Sequence, residues 1–316
     1  MTDKLIGLYD VDSTIPNLSL MRISAHYKQQ GRDTELYMPI RRHLYDRVYA
    51  SKIFKYSSGE MITPDMTVGG TGIDLKIELP EEMREADPDY GLYGFEHSIG
   101  FAMRGCRFRC GFCVVPEKEG RARANHSIEK IWTNRGSDFV WLLDNDFFGN
   151  PLWRERIGEI RELNLRVCFL QGLNIRIITE EQAQSLASVK FRSKSGKSSV
   201  CSFAWDRIRD EKLIRKGIQR LQAAGIKTWQ MQFFVLIGYD TTEEQDLHRV
   251  MMLKGLGCDP YAMPYDKSDP YQRRFCRWVN RREVFQKVEW KDYTRKKIVE
   301  EDPNQLRMFG TGGGND

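Results

Sequence analysis

The chain has 316 residues, with 49 Lys and Arg against 44 Asp and Glu, a formal net charge of +5. With 41% hydrophobic and 11% aromatic residues it can fill a sizeable core across about two domains, which excludes disorder as a description of the whole chain. Its longest apolar runs, such as Phe233 to Gly238, fall far short of the roughly 18 residues of a membrane helix, and the charged start MTDKLIGLYDVD lacks a small-residue cleavage site, so a cytoplasmic protein without membrane contact is expected.

In chain order, LIGLYDVD reads as a buried strand and NLSLMRISAHYKQQG as a helix stopped by Gly31. DTELYMPI, RVYASKIF and MTVGG read as further strands, the last opening into the loop GGTGID. Strand, helix, strand within 40 residues indicates a parallel α/β layer over residues 1–92. The acidic stretch LPEEMREADPDYG, with Pro80 and Pro88 and no apolar periodicity, is expected to be its linker.

From residue 93 to 265 strands recur every 25 to 40 residues: HSIGFAM, DFVWLLD, LRVCFLQ, SVCSFAW, WQMQFFVLIG and PYAMPY. Helical patterns separate them, including TEEQAQSLASV with the capping-box order Thr179 to Gln182 and PLWRERIGEIREL, with Pro151 as a helix starter. Six such βα units are expected to form a partial (β/α)6 TIM-like barrel, with chemistry at the carboxyl ends of its strands. After residue 266 the alternation stops, leaving a basic, aromatic extension that ends in GTGGGND.

Seven cysteines are present, and Cys106, Cys110 and Cys113 lie within GCRFRCGFCVVPEKEG in a CxxxCxxC spacing. In a reducing compartment clustered thiols read first as metal ligands. Three thiolates on one loop can converge on a 4Fe–4S cluster and leave one iron without a protein ligand. The alternatives are zinc, which wants a fourth ligand that only His126 could supply nearby, and three unrelated core cysteines.

With Phe112 before the third cysteine, this loop resembles the signature of the radical S-adenosylmethionine superfamily, and the resemblance extends over residues 93–265. It implies an enzyme whose open iron chelates S-adenosylmethionine. An electron from a donor such as a flavodoxin or ferredoxin then cleaves that cofactor to methionine and a 5′-deoxyadenosyl radical, which abstracts hydrogen from the substrate. Where the family usually has Gly-Gly-Glu, this chain has LLDNDFFGN, so the resemblance places Asp144, Asn145 and Asp146 at the methionine moiety; a helix cap before Pro151 is the structural alternative. Asn174 and Arg176 in QGLNIRII are expected at the barrel mouth, with Arg176 either on the methionine carboxylate or in a surface ion pair. Asp206 is expected on a ribose hydroxyl or as a helix cap, and Gly238 where backbone passes close to adenine.

The first 92 residues resemble the flavodoxin-like cobalamin-binding domain that precedes many such cores. Cobalamin is the cofactor this implies, although no Asp-x-His-x-x-Gly segment supplies a lower axial ligand and His26 reads as a surface histidine. Gly69, Gly70 and Gly72 fit a phosphate cradle or a tight turn. No cysteine occurs in residues 1–105, which argues against a standard methylthiotransferase.

Between residues 267 and 297 eleven Lys and Arg face four Asp and Glu, interleaved with Tyr271, Phe275, Trp278, Phe285, Trp290 and Tyr293. This mixture suits phosphate neutralisation and base stacking, with Arg273, Arg274, Arg277, Arg281 and Arg282 as nucleic-acid contacts, or equally a helix packing its aromatic face on the barrel. Farther on, PNQLRMFG resembles the peptide by which bacterial replication proteins dock on the sliding clamp, through Gln305, Leu306, Met308 and Phe309. The expected function is modification of a nucleic-acid base or nucleoside, for example methylation. A peptide or small-molecule substrate and a non-catalytic iron–sulfur protein for electron transfer or sensing are the alternatives.

Overall fold

In the computed structural model, which describes residues 5–293, the apolar start folds into strand β1 (Leu5–Asp10), helix α1 (Leu18–Gln29), and strands β2 (Thr34–Leu36), β3 (Tyr45–Ser51) and β4 (Thr67–Gly69). They form one parallel sheet in the order β2-β1-β3-β4. Asn17 starts α1 by accepting from the backbone N–H groups of Ser19 and Leu20 at 3.1 and 3.2 Å. The acidic stretch that follows is packed rather than a free spacer. It carries α2 (Glu81–Arg84), buries Met83 beside Ile6, Leu8 and Ile23, and ties Asp89 to Ser24 Oγ at 2.5 Å and Lys28 Nζ at 2.7 Å.

The second part runs β5 (Ser98–Gly100), β6 (Met103–Arg104), α3 (Val115–Lys118), β7 (Arg123–Ala124), α4 (Ile128–Ile131), β8 (Phe139–Leu142), α5 (Trp153–Glu162), β9 (Arg166–Phe169), α6 (Glu180–Ala187) and β10 (Lys190–Phe191). It continues with β11 (Cys201–Ala204), α7 (Glu211–Ala223), β12 (Met231–Ile237), α8 (Glu243–Gly255), β13 (Asp259–Pro264), α9 (Pro270–Asn280) and α10 (Arg282–Lys287). Thr179 and Gln182 form the expected reciprocal cap of α6, whereas α5 begins two residues beyond Pro151 without a side-chain cap.

The strands form a parallel sheet β10-β9-β8-β5 and a parallel sheet β11-β12-β13, joined by one parallel bridge between Leu173 and Phe203. Among the described residues the architecture is α/β with parallel sheets and no closed barrel. One face of both sheets is core: Val140, Leu142, Val167, Phe203, Phe233 and Val235 pack with Ile157, Leu186, Ile218 and Leu253 of the helices. Because side chains alternate along a strand, the other face carries Ile99, Trp141 and Cys168 on one sheet and Phe234, Leu236, Tyr261 and Met263 on the other. Leu18 and Met21 of α1 cover the first of these.

The described part of the basic extension carries α9 and α10, and most of its aromatics are interior. Phe275, Trp278, Phe285 and Tyr293 join the main core, with Phe275 and Trp290 rings 5.0 Å apart. Of the two readings left open for these rings, the four follow packing on the sheet. Asn280 of α9 reaches the free edge of β13, accepting from Ala262 N–H at 2.8 Å and donating to its carbonyl at 2.9 Å. Among the described residues no helix is long and apolar enough to cross a membrane.

Candidate cofactor site

The predicted strand HSIGFAM breaks after Gly100, and its second piece, β6, pairs antiparallel with β7. That hairpin closes residues 105–122, which hold all three motif cysteines, into a loop. Gly105, with φ +77°, makes the turn possible, since a Cβ there would strike the backbone of Arg121. Glu119 stitches the loop ends together: it accepts from Gly105 N–H at 2.8 Å and Asn145 Nδ2 at 3.1 Å, and pairs with Arg104 at 2.9 Å.

The loop lies across the carboxyl ends of four parallel strands. After β8, buried Asp146 takes the Arg107 guanidinium as a fork, with Nε at 2.7 Å and an Nη at 2.8 Å. Beyond β9, Arg176 stands 4.5 Å over the Phe108 ring and pairs with Asp210 at 3.1 Å, while Asn174 accepts from its backbone N–H at 3.1 Å. Asp206, after β11, lies within electrostatic reach of Cys113 and Arg176, and burial raises its pKa. After β12, Tyr239 meets Phe112 edge to face at 5.2 Å, and a Cβ on Gly111 would come within 2.6 Å of the Tyr239 hydroxyl. The sequence-predicted residues Phe112, Asp146, Arg176 and Asp206 are thus brought to one loop.

Asp144 faces the start of the loop. Its Oδ1 accepts from Ala102 and Met103 N–H at 2.8 and 3.2 Å, while Oδ2 has no hydrogen-bond partner among the described residues. Burial therefore pushes its carboxyl up to about 7, against the pull of those N–H groups and of Arg104 and Arg156. Neither Asp144 nor Asp146 caps α5. Gly238 has φ +74° and donates to Asp246 at 3.2 Å, but the space a Cβ would take is filled by the Gln272 amide of α9; the close approach it permits is to that side chain.

Sequence reasoning missed the buried ion pair behind these strand ends. Asp246 and Arg249 are both 0% exposed and 2.6 Å apart. Arg249 donates to the carbonyls of Trp205 at 3.0 Å and Leu236 at 2.7 Å, while Asp246 accepts from Thr241 at 2.7 Å and Tyr271 at 3.2 Å. One turn of α8 thereby locks the ends of β11 and β12. The only sequence signal was a charged i, i+3 pair on an otherwise half-apolar helix.

The three motif thiols are half-buried. Burial raises Cys106 to about 11 and raises Cys113, and the charges of Asp146 and of the other two motif sulfurs add to the shift in Cys106. Backbone N–H groups point at two of them, Phe108 at Cys106 Sγ over 3.4 Å and Val115 at Cys113. In kind this donor set fits an iron–sulfur cluster: soft, mutually coupled thiols with hydrogen bonds to sulfur. Among the described residues no three Cys, His, Asp or Glu side chains are already gathered in metal-binding geometry, so the thiols must turn toward one another to share a cluster. His126 stands instead beside Arg22, Glu85 and Lys130.

In the first sheet, Gly70 and Gly72 turn tightly against the backbone of Lys52 and Phe54, and Gly72 N–H donates to Lys52 O at 2.9 Å. The glycines thus serve a turn. His26 lies on α1 against Gln30, 2.8 Å away. Thr71 of that loop accepts from Lys118 of α3, so the first sheet touches the cysteine loop directly. Arg273, Arg274, Arg277, Arg281 and Arg282 are exposed, whereas Gln305, Leu306, Met308 and Phe309 lie outside the described residues. A comparison of the chain with models of known protein families finds no match, and neither does a comparison with curated protein sequences.

Proposed function

We propose that this chain is a radical S-adenosylmethionine enzyme on a partial (β/α)6 barrel, holding one 4Fe–4S cluster on Cys106, Cys110 and Cys113 and modifying a nucleic-acid base or nucleoside. The carrying observation is the placement of a three-cysteine loop across the carboxyl ends of parallel strands by Arg107–Asp146, Phe108–Arg176 and Phe112–Tyr239. When bound, the cluster and S-adenosylmethionine supply reductive cleavage to a 5′-deoxyadenosyl radical, with the electron coming from a flavodoxin- or ferredoxin-type donor. The chain's own groups hold and orient. Asp146 fixes the loop through Arg107, and Asp144 offers a free buried carboxylate oxygen to a cationic group. Arg176 presents a guanidinium to a carboxylate, and the aromatic pair Phe112–Tyr239 shields the sulfurs from water.

The strand order β5-β8-β9 followed through Leu173–Phe203 by β11-β12-β13, all parallel, supports the partial-barrel reading. Cobalamin has no support beyond the resemblance, since the glycine loop is occupied by its own backbone. Burial of Phe275, Trp278 and Phe285 removes the tail rings as base-stacking groups and favours, as the second reading, a peptide or small-molecule substrate.

Anaerobic reconstitution with iron and sulfide, followed by reductant and S-adenosylmethionine, is the test. Formation of 5′-deoxyadenosine by the protein and not by a Cys106, Cys110, Cys113 triple Ala variant is the expected result. No 5′-deoxyadenosine from either overturns the enzyme reading, and an iron–sulfur spectrum without cleavage points to electron transfer or sensing. Mass spectrometry of nucleosides from DNA and tRNA, with and without the protein expressed, identifies the product.

A further inference from the structure

An open groove of about 800 Å3 lies at the amino ends of β5, β8 and β9, the end of these strands opposite the cysteine loop. Tyr90, Phe95 and His97 line it. The first two rings are 6.4 Å apart at 25°, and Phe95 meets His97 edge to face at 5.4 Å. His97 Nδ1 lies 3.1 Å from Ser137 Oγ, and burial lowers its pKa, so the ring is mostly neutral at pH 7. Arg166, the first residue of β9, also lines the groove and pairs with Asp138 at 2.5 Å. Beside it stands the loop that follows β10: Lys190 is the register partner of Arg166, and a Cβ on Gly196 would come within 3.8 Å of its guanidinium. From residue 182 to 205 the chain has four Lys and Arg and no Asp or Glu. Neutral oxygens hold three of these cations: Asn164 Oδ1 accepts from Lys190 at 2.6 Å, Ser199 Oγ from Arg192 at 2.7 Å, and Thr14 O from Lys194 at 3.3 Å. Lys194 also lies 5.7 Å over Trp141, a ring 4.8 Å from Phe95, and Lys197 is exposed.

We infer that this groove is a second ligand site, separate from the cysteine loop, for a free nucleotide, with the base against Tyr90, Phe95 and His97 and the phosphates on Lys194 and Lys197. Three features select that occupant. The volume falls within the range of small-molecule sites, roughly 300 to 1,000 Å3. Aromatic walls suit a planar ring. The cations of the loop are positioned by neutral groups, so their charge is left to be met from outside, and a phosphate answers it with several oxygens. Ser193, Ser195, Ser198 and Ser199 add hydroxyl donors on the same loop. The acids lining the groove, Glu96 and Asp138, set the orientation. Asp138 is taken by Arg166, and Glu96, between Phe95 and His97 in sequence, repels phosphate from the ring end. Neither the cluster nor S-adenosylmethionine enters this inference, which stands apart from the proposed function.

The test is isothermal titration calorimetry of the full chain with ATP, and with adenosine and inorganic triphosphate as its two halves. ATP should bind, more weakly as salt rises, and each half should bind roughly tenfold more weakly or worse. Lys194→Gln with Lys197→Gln should weaken ATP roughly tenfold and leave adenosine unchanged. Phe95→Leu, which keeps apolar volume without the ring, should bring ATP down toward triphosphate. Lys212→Gln with Lys216→Gln, the same charge change on exposed positions of α7, should leave ATP binding as it was. No binding of ATP at millimolar concentration, or an equal loss from the α7 pair, overturns the site. So does displacement of ATP by S-adenosylmethionine, which would put the nucleotide at the cysteine loop, and so does a uridylate dodecamer that binds more tightly than ATP, which would make the surface one for a strand. Retention of ATP by the Cys106, Cys110, Cys113 triple Ala variant supports the inference whatever becomes of the enzyme reading.

Discussion

Strands β5, β8 and β9 and strands β11, β12 and β13 are built alike: parallel, with one face buried under helices. Their opposite faces diverge. On the first trio, Ile99, Trp141 and Cys168 receive Leu18 and Met21 of α1, a helix that belongs in sequence to the preceding sheet. On the second trio, Tyr261 and Met263 stay exposed and Phe234 half-buried among the described residues. Apolar surface removed from water stabilises by about 25 cal/mol per Å2, so the covered face contributes more to folding than the exposed one.

The sharpest way to break this comparison is to truncate one ring on each face. Trp141→Ala should cost about 4 kcal/mol in urea unfolding, since it leaves a cavity under α1. A value near that of a surface substitution would mean that the face is not core. Next in size, Arg249→Met should cost about 3 kcal/mol by stranding Asp246 among the ends of the open trio; the double variant with Asp246→Leu should recover much of it. Arg107→Gln, which removes the fork on Asp146, should cost about 2 kcal/mol and lower the iron bound per chain after reconstitution.

Asp144 sharpens the comparison through pH. Its folded carboxyl keeps a proton up to about 7 whereas the unfolded one releases it near 3.8. The folded state therefore binds more protons across that window, and stability falls as pH rises through it. Asp144→Asn, whose amide oxygen still accepts from Ala102 and Met103, should flatten that fall, read as the difference between the two melting-temperature profiles. An unchanged profile would place the carboxylate in water. The smallest effect is Tyr261→Ala, about 0.5 kcal/mol or less, because its ring is already half in solvent.

Much of the architecture could be read in the sequence because its signals are local. Short continuous apolar runs mark β1 and β12, and Thr179 with Gln182 and Thr242 with Gln245 mark the starts of α6 and α8. The cysteine spacing marked the loop for the same reason. What stayed hidden depends on contacts between distant residues. Nothing near residue 103 announces that Met103–Arg104 will pair with Arg123–Ala124, nor does Leu18 announce that it will lie against Trp141. The basic tail was ambiguous because alternating arginines and aromatics fit either a solvated face over a core or a base-stacking surface; the core took the aromatics. Gly238 fitted any close approach, and the one realised is to Gln272, more than thirty residues away.

The pairing of Asn280 with Ala262 has a consequence for how the molecule behaves in a crowd. Tyr265 N–H donates to Ile237 O at 3.1 Å, so the odd residues of β13 face β12 and the even ones, 260, 262 and 264, point outward. Pro260 and Pro264 have no N–H to offer, and both outward groups of Ala262 are taken by Asn280. An aromatic edge strand would ordinarily template growth of the sheet from one copy to the next. Here the outward edge of β13, from 260 to 264, has no free donor, so it cannot extend the sheet into a second copy.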